Sequence, residues 1–597
     1  MKNFLARLLK KSLEWRLLHI GDRQYILIVS AVVGFVVGLS TVILKNAVYL
    51  TESFLTFFFH KEYYNYLYFA YPIIGIFLVV IFTKFILKRE IGHGISNVLY
   101  AISKKSSIIK RHYLYSYIVG SSITVGFGGS VGLEGPSVMT GSAIGSNLGR
   151  LLHLNYKQRT LLIGCASASA ISAIFKAPIA GVLFVLEILM FDMTMAAILP
   201  LLISSVCAAL TSYLIFGQQK IYTVHITDFF ILSRVPFYIA LGLLSGILSI
   251  YFTKTYNKIE KLFSLIKPWG LKLLVGGICL GILIFLFPPL YGEGYKTINL
   301  CLDINHYKDL LNNSLFYQNK DSVLFLILFL FLISLLKTVA TSITFGSGGV
   351  GGTFAPTIFM GATFGLAFST AVNYLNIGGI HLPEINFVLA GMAGMIAGVS
   401  HAPLTAIFLI AEVTGGYELF MPLMITSTLS YTTIKYFMPN SIYTHQLAMR
   451  KQLITHNKDQ AVLILMNVEN LIETNFSTIR PDATLGEFIK VIKDSIRNMF
   501  AVVDSNNKLV GVITMDNIRH VMFNQNLYNT VYVRDLMIVP EVSISPEDNM
   551  EDIAQKLQLT DIYNLPVLKD GKYLGFVSRA NVFLAYRQML KKHYGEE

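Results

Sequence analysis

Glu134 lies in a glycine-rich stretch, GGSVGLEGPSVMTGSAIG over 128–145, that recurs as GGVGGTFAPTIFMGATFG over 348–365 with Phe354 in the acid's place. Between 121–145 and 341–365 the residues Ser122, Ile123, Thr124, Gly126, Gly128, Gly129, Gly132, Pro136, Gly141 and Gly145 are identical, so the chain carries a duplication. Both copies sit between long apolar runs. Glycine and proline break a helix in such surroundings unless the irregular backbone lines a protein-enclosed cavity. A helix that starts there has amide groups without helical partners and the positive end of its dipole, a combination that attracts anions. Partial charges with no fixed cation bind weakly enough to let an ion leave again. A carboxylate among such amides competes with an anion for the same place, and protonation removes its claim, so acid should open the path. The plainer role for Glu134 is an acid that complements a helix dipole. The cost of an acid in apolar surroundings, and its replacement by Phe354 in the other copy, favour function. A phosphate loop would need Lys-Ser/Thr after the glycines, and neither copy has it.

These segments need a membrane to work in. With 597 residues, 54% apolar, 13% aromatic and 14% charged, the chain is too apolar for a soluble enzyme of its length. Apolar runs near 25–48, 67–87, 113–128, 161–175, 195–215, 236–255, 271–290, 321–341, 387–399 and 420–437 are helix candidates. Several fall short of the ~20 residues that cross hydrocarbon and suggest half-helices. Residues 1–24, with Lys2, Arg7, Lys10, Lys11, Arg16 and Arg23 and no small-residue cleavage site, read as an amphipathic surface helix on the cytoplasmic side. A second duplication, APIAGVLFVLEI at 177–188 and APLTAIFLIAEV at 402–413, places Glu187 and Glu412 at one helix position. A duplicated acid suggests a shared structural bond. The membrane region is therefore read over 25–444, with halves at about 25–215 and 236–444 that fit an inverted-topology repeat.

The net charge of +13 is accounted for by basic loops, and no aromatic-interleaved basic motif points to nucleic acid. Cys165, Cys207, Cys279 and Cys301 have no paired spacing and read as buried thiols, neither disulfides nor metal ligands. From 445 to 597 the chain turns polar. Two segments, 482–518 and 547–582, each read helix, strand, turn, strand, helix, with FAVVD and LVGVIT as strands in the first and LPVLK and YLGFVS in the second. They resemble tandem CBS domains, at about 465–525 and 533–592.

The membrane motifs resemble those of the CLC family of chloride channels and transporters. GLEGP at 132–136 is similar to that family's Gly-[Lys/Arg]-Glu-Gly-Pro helix start, GGTFAP at 351–356 to its Gly-x-Phe-x-Pro segment, GHGIS at 92–96 to its Gly-Ser-Gly-Ile-Pro segment, and PNSIY at 439–443 to the stretch with its pore tyrosine. They stand in family order, and the resemblance covers about residues 25–590. It implies an α-helical polytopic membrane protein of CLC type, built as an inverted repeat of tilted and half-spanning helices, with a cytoplasmic α/β CBS pair. It also implies a homodimer in the bilayer, chloride held by His93, Gly94, Ile95, Thr353, Phe354 and Tyr443, and Glu134 as gate.

Four departures qualify this. His93 replaces a serine hydroxyl by an imidazole that can charge near neutral pH, leaving the preferred anion open. Ser96 replaces a proline. Leu133 removes a cation beside the gate, so long-range attraction of anions should weaken. Ile188 stands where family exchangers carry a proton-relaying glutamate, which leans toward a passive, voltage- or pH-gated channel over a proton-coupled exchanger. In the tail, CBS modules commonly hold adenine nucleotides through Gly-hydrophobic-hydrophobic-[Ser/Thr]-x-x-Asp. GVITMDN and GFVSRAN offer Thr514, Asn517, Ser578 and Asn581, with amides where the acids should be, so nucleotide binding and nucleotide independence both stay open. No other cofactor is expected. A CBS-regulated divalent-cation transporter would need acid clusters along its helices. An enzyme would need a soluble barrel, for which no hydrophilic stretch before 445 is long enough.

Overall fold

A computed structural model describes residues 18–57, 64–89, 91–92, 94–189, 195–218, 222, 224, 228–303, 306–311, 314, 316–445, 448, 463, 466–559 and 562–594. Most of the amphipathic helix expected over 1–24 lies outside the described residues. The chain forms two compact units, Met1–Leu453 and Ile454–Glu597.

The first half of the larger unit contributes α1 (Asp22–Phe57), α2 (Tyr64–Ile81, continued by a π-helical turn over Phe82–Ile86), α3 (Gly94–Lys104), α4 (Tyr113–Gly126), α5 (Glu134–Leu151), α6 (Tyr156–Phe175), α7 (Pro178–Ile188) and α8 (Met195–Phe216). The second contributes α9 (Val235–Leu265), α10 (Trp269–Leu286), α11 (Tyr295–Cys301), α12 (Val323–Gly346), α13 (Phe354–Leu375), α14 (Glu384–Ser400), α15 (Pro403–Thr414) and α16 (Phe420–Phe437). Among the described residues, 8 helices are long and apolar enough to cross a membrane. Helices α3, α7 and α15, of 11, 11 and 12 residues, reach only about half of the ~30 Å hydrocarbon layer at ~1.5 Å per residue. Cys165 and Cys301 are buried, whereas Cys207 is half-buried and Cys279 exposed, because the outer faces of α8 and α10 turn away from the protein interior.

The duplication is visible as a two-fold exchange of bonds. Gly132 N donates to Gly352 O at 2.8 Å and Gly352 N to Gly132 O at 2.7 Å, an antiparallel bridge between equivalent residues. Val350 N donates to Thr124 Oγ1 (3.0 Å), and Ser130 N to Thr344 Oγ1 (3.2 Å). Lys176 and His401 end α6 and α14 in the left-handed region at φ 57° and 56°, and Pro178 and Pro403 then open α7 and α15 at the helix start, where a missing N–H costs nothing. Exchange of this kind, with antiparallel partners, gives the halves opposite topology. The repeated glycines serve close packing: a Cβ on Gly145 would stand 2.5 Å from Leu162 O, and one on its counterpart Gly365 2.2 Å from Phe387 O. Small residues thus let α5 lie on α6 and α13 on α14 with backbones nearly touching.

In the smaller unit β1 (Thr478–Ile479), α17 (Leu485–Asp494), β2 (Met499–Val503), β3 (Leu509–Thr514), α18 (Met515–Ile518) and α19 (Val533–Leu536) precede α20 (Met550–Leu559), β4 (Asn564–Lys569), β5 (Lys572–Ser578) and α21 (Arg579–Tyr594). Strands β2–β3 and β4–β5 are antiparallel, with β1 parallel to β2. The two copies meet through Phe476, Ala501, Val503, Tyr573 and Phe576.

Candidate functional site

Helices α3, α5 and α13 begin around one cavity of about 30 Å³, room for a single small ion or water. Gly94, Ile95, Thr353 and Tyr443 line it together, joined by Gly135, Ser96 and Tyr256. The approach is close enough that a Cβ on Gly94 would lie 2.6 Å from Gly135 O. Thr353 and Phe354 stand at the start of α13, where amides have no carbonyl four residues back to bond. The Phe354 ring itself is packing, 5.9 Å from Phe175 and 6.3 Å from Phe184 between centroids. Thr353 Oγ1 donates to Tyr443 Oη at 3.3 Å. His93 lies outside the described residues.

Two lining residues had no separate signal in the sequence or were misjudged there. Tyr256 is one tyrosine on a long apolar helix, and only the packing of α9 brings it to the cavity. Ser96, a loss against the family motif, gains a bond: its Oγ donates to Tyr443 O at 2.9 Å and ties the start of α3 to the tyrosine's backbone.

Glu134 is fully buried at the first position of α5. Its Oε2 accepts from Ala355 N at 3.3 Å and its Oε1 from Tyr295 Oη at 2.5 Å. A vestibule of about 780 Å³ is lined by Leu133, the residue before Glu134, and by Tyr295, Lys45, Lys176, Lys296 and Glu293. Leu133 is uncharged, yet the vestibule is not without cations, since lysines from other elements face it. Lys45 is held by a bond from Nζ to Ile174 O (2.7 Å) and Lys176 by one to Gly217 O (2.7 Å). Lys337, fully buried on α12, was missed although a lone lysine in an apolar run is a signal in itself. Its Nζ donates to Gly292 O (2.9 Å) and Leu290 O (3.3 Å), fixing the turn that presents Tyr295.

Glu187 and Glu412 cap each other's partner helices. Glu187 accepts from Leu404 N (2.9 Å), Thr405 N (2.7 Å) and Thr405 Oγ1 (2.7 Å), and Glu412 accepts from Ile179 N (3.0 Å) and Ala180 N (2.8 Å). Each closes the open first turn of the other half's helix, so α7 and α15 run antiparallel. Removing Glu187 by Ala strands three donors and is expected to destabilise the fold by about 1–3 kcal/mol. A lower melting temperature in detergent, with the pH midpoint of transport unchanged, is the expected readout. Ile188 is buried and apolar at the end of α7.

In the smaller unit the four nucleotide candidates are engaged locally. Asn517 Oδ1 accepts from Thr514 N (2.9 Å) and Thr514 Oγ1 (2.5 Å), Asn581 N donates to Ser578 Oγ (3.1 Å), and Asn581 Nδ2 donates to Leu471 O (3.2 Å). Ser578 Oγ in turn donates to Glu473, which also accepts from Arg497 at 2.5 Å.

A helical membrane protein of two inverted repeats, with helix starts gathered around one small buried cavity, is the class that this architecture defines. The family model described as "Voltage gated chloride channel" matches residues 74–435, and the CBS domain model matches 468–524 and 533–588. The chain is 30% identical over 424 residues to the H(+)/Cl(-) exchange transporter ClcA of Vibrio cholerae, covering 67% of this chain and 84% of that one. It is 30% identical over 335 residues to the voltage-gated ClC-type chloride channel ClcB of Citrobacter koseri, covering 55% and 75%. The fold is similar to that of a slow cyanobacterial Cl-/H+ antiporter, with TM-score 0.61 at 24% identity over 72% of this chain and 99% of that one. The protein belongs to the CLC family of anion channels and transporters and carries a pair of CBS domains; it is an integral membrane protein.

Proposed function

We propose that this protein passes chloride across a membrane through the cavity shared by Gly94, Ile95, Thr353 and Tyr443, with Glu134 as its gate. The observation that carries the reading is the Glu134 carboxylate on the Ala355 amide, at the mouth of a helix whose preceding residue Thr353 lines the cavity. An ionised carboxylate there occupies an anion's place and a neutral one gives it up. Passive, voltage- or pH-gated conduction is the reading we favour for this chain. Ile188 has no proton to relay, and Glu187, the neighbouring acid, is committed to three donors. Proton-coupled exchange is the second reading, favoured by the likeness to an exchanger at 30% identity. We place the protein as a homodimer in a bacterial inner membrane, with the CBS pair cytoplasmic and acting as a modulator that an adenine nucleotide could address.

The test is the reversal potential of purified protein in liposomes under opposed chloride and proton gradients. A potential that follows chloride alone is expected. A shift with the proton gradient would replace passive conduction by exchange, and absence of chloride flux would overturn both.

A further inference from the structure

We propose that Tyr295 latches the gate: its hydroxyl holds the ionised Glu134 carboxylate in the anion's path, and loss of that bond is part of opening. The proposal rests on the reading of Glu134 as the gate and adds what keeps it shut. The amide bond from Ala355 to the carboxylate is long, at 3.3 Å, whereas the phenol bond is 2.5 Å. The stronger partner therefore comes from a different element, the seven-residue helix α11. Tyr295 and Leu133 line the larger vestibule, while Gly135 and Thr353 line the small cavity, so the Tyr295–Glu134 bond links the residues of one to the neighbours of the other.

The chemistry has a direction. A phenol donates to a carboxylate more strongly than to a neutral carboxyl, so this bond favours the charged, closed form. The latch is also held in place. Lys337 fixes the turn before α11 through Gly292 O, and the Tyr222 ring lies 5.9 Å from the Tyr295 ring, edge to face. The other charged or titratable groups that face Glu134 are Lys45 from α1, Glu293 from the turn before α11, Tyr222, and Tyr443 after α16. None of these is altered by removing one hydroxyl from Tyr295. Tyr222 supplies the control, because its Oη has no hydrogen-bond partner among the described residues.

Tyr295 is thus a positioning residue, and its test is a pH profile. In liposomes Tyr295→Phe should move the pH of half-maximal chloride flux upward by about one unit, the worth of one hydrogen bond to a charged group. Tyr222→Phe should leave the midpoint where it is. In a Glu134→Gln background Tyr295→Phe should have no effect on the profile. A difference infrared titration of the Glu134 carboxyl band gives the same midpoint without transport, and so serves for a variant that folds but conducts poorly. An unmoved midpoint in Tyr295→Phe, or an equal shift in Tyr222→Phe, overturns the latch and leaves the gate standing. If Glu134→Gln retains the wild-type profile, the gate itself fails.

Discussion

Glu134→Gln is expected to abolish the acid activation of chloride flux and to raise flux at neutral pH about tenfold or more. The argument is one of competition. Glutamine keeps the shape of the side chain, but its single carbonyl oxygen accepts from Tyr295 or from Ala355 where the two carboxylate oxygens accept from both, and without charge its bond is that of a neutral amide. The difference between a charge-assisted and a neutral bond is about 1.4 kcal/mol or more, and that alone is a factor of about ten in occupancy. Because Glu134 is fully buried, little water intervenes to screen the change. Flux from chloride-loaded liposomes, measured from acid to neutral pH, gives the answer. A profile that flattens at the wild-type acid level is the expected result, and one that still rises with acid would remove Glu134 from the gate.

Gly132→Ala should cost nearly all transport, at least about tenfold, together with about 1–3 kcal/mol of stability, the usual cost of overpacking a filled site. A Cβ there would stand 2.2 Å from Glu134 Oε2, 2.8 Å from Ala355 Cβ and 3.1 Å from Ala355 N. The carboxylate could turn aside, but the backbone cannot follow easily, since Gly132 is bonded through both N and O to Gly352. Relief therefore comes by parting the starts of α5 and α13, which separates the two halves of the proposed anion site. Gly270→Ala is the matched control, with nothing within 4 Å of its added Cβ. Flux and melting temperature measured on the same detergent preparation check both. Wild-type flux in Gly132→Ala would mean that the close meeting of the repeats is not needed for conduction.

How much of the site was legible in the sequence depended on how each residue makes its contacts. Gly94, Ile95 and Thr353 were legible because the cavity they line is made of helix starts, which have a linear signature of glycine and proline, and Tyr443 because of the motif around it. Glu187 and Glu412 were recognised as a structural pair because duplication placed them at the same position. Tyr295 was not found. It reaches Glu134 across 161 positions of chain from a seven-residue helix, and nothing in YGEGY marks its hydroxyl as different from those of the other tyrosines. Leu133 and Ser96 were read as losses against a motif. Lys45 on α1 and Lys176 just after α6 face the same vestibule as Leu133, and the hydroxyl of Ser96 holds the Tyr443 backbone.

By itself, then, the sequence determined a membrane chain of two matching halves, a polar tail of two similar modules, and glycine-opened helices with a single acid among them. Those are local properties, set by apolar run length, by periodicity and by what backbone each residue type permits. Tertiary structure decided which half faces which, which helix each duplicated glutamate caps, and which hydroxyl meets Glu134. Such contacts join residues far apart in the chain, and their geometry follows from how the antiparallel halves pack, which similarity between two segments does not specify.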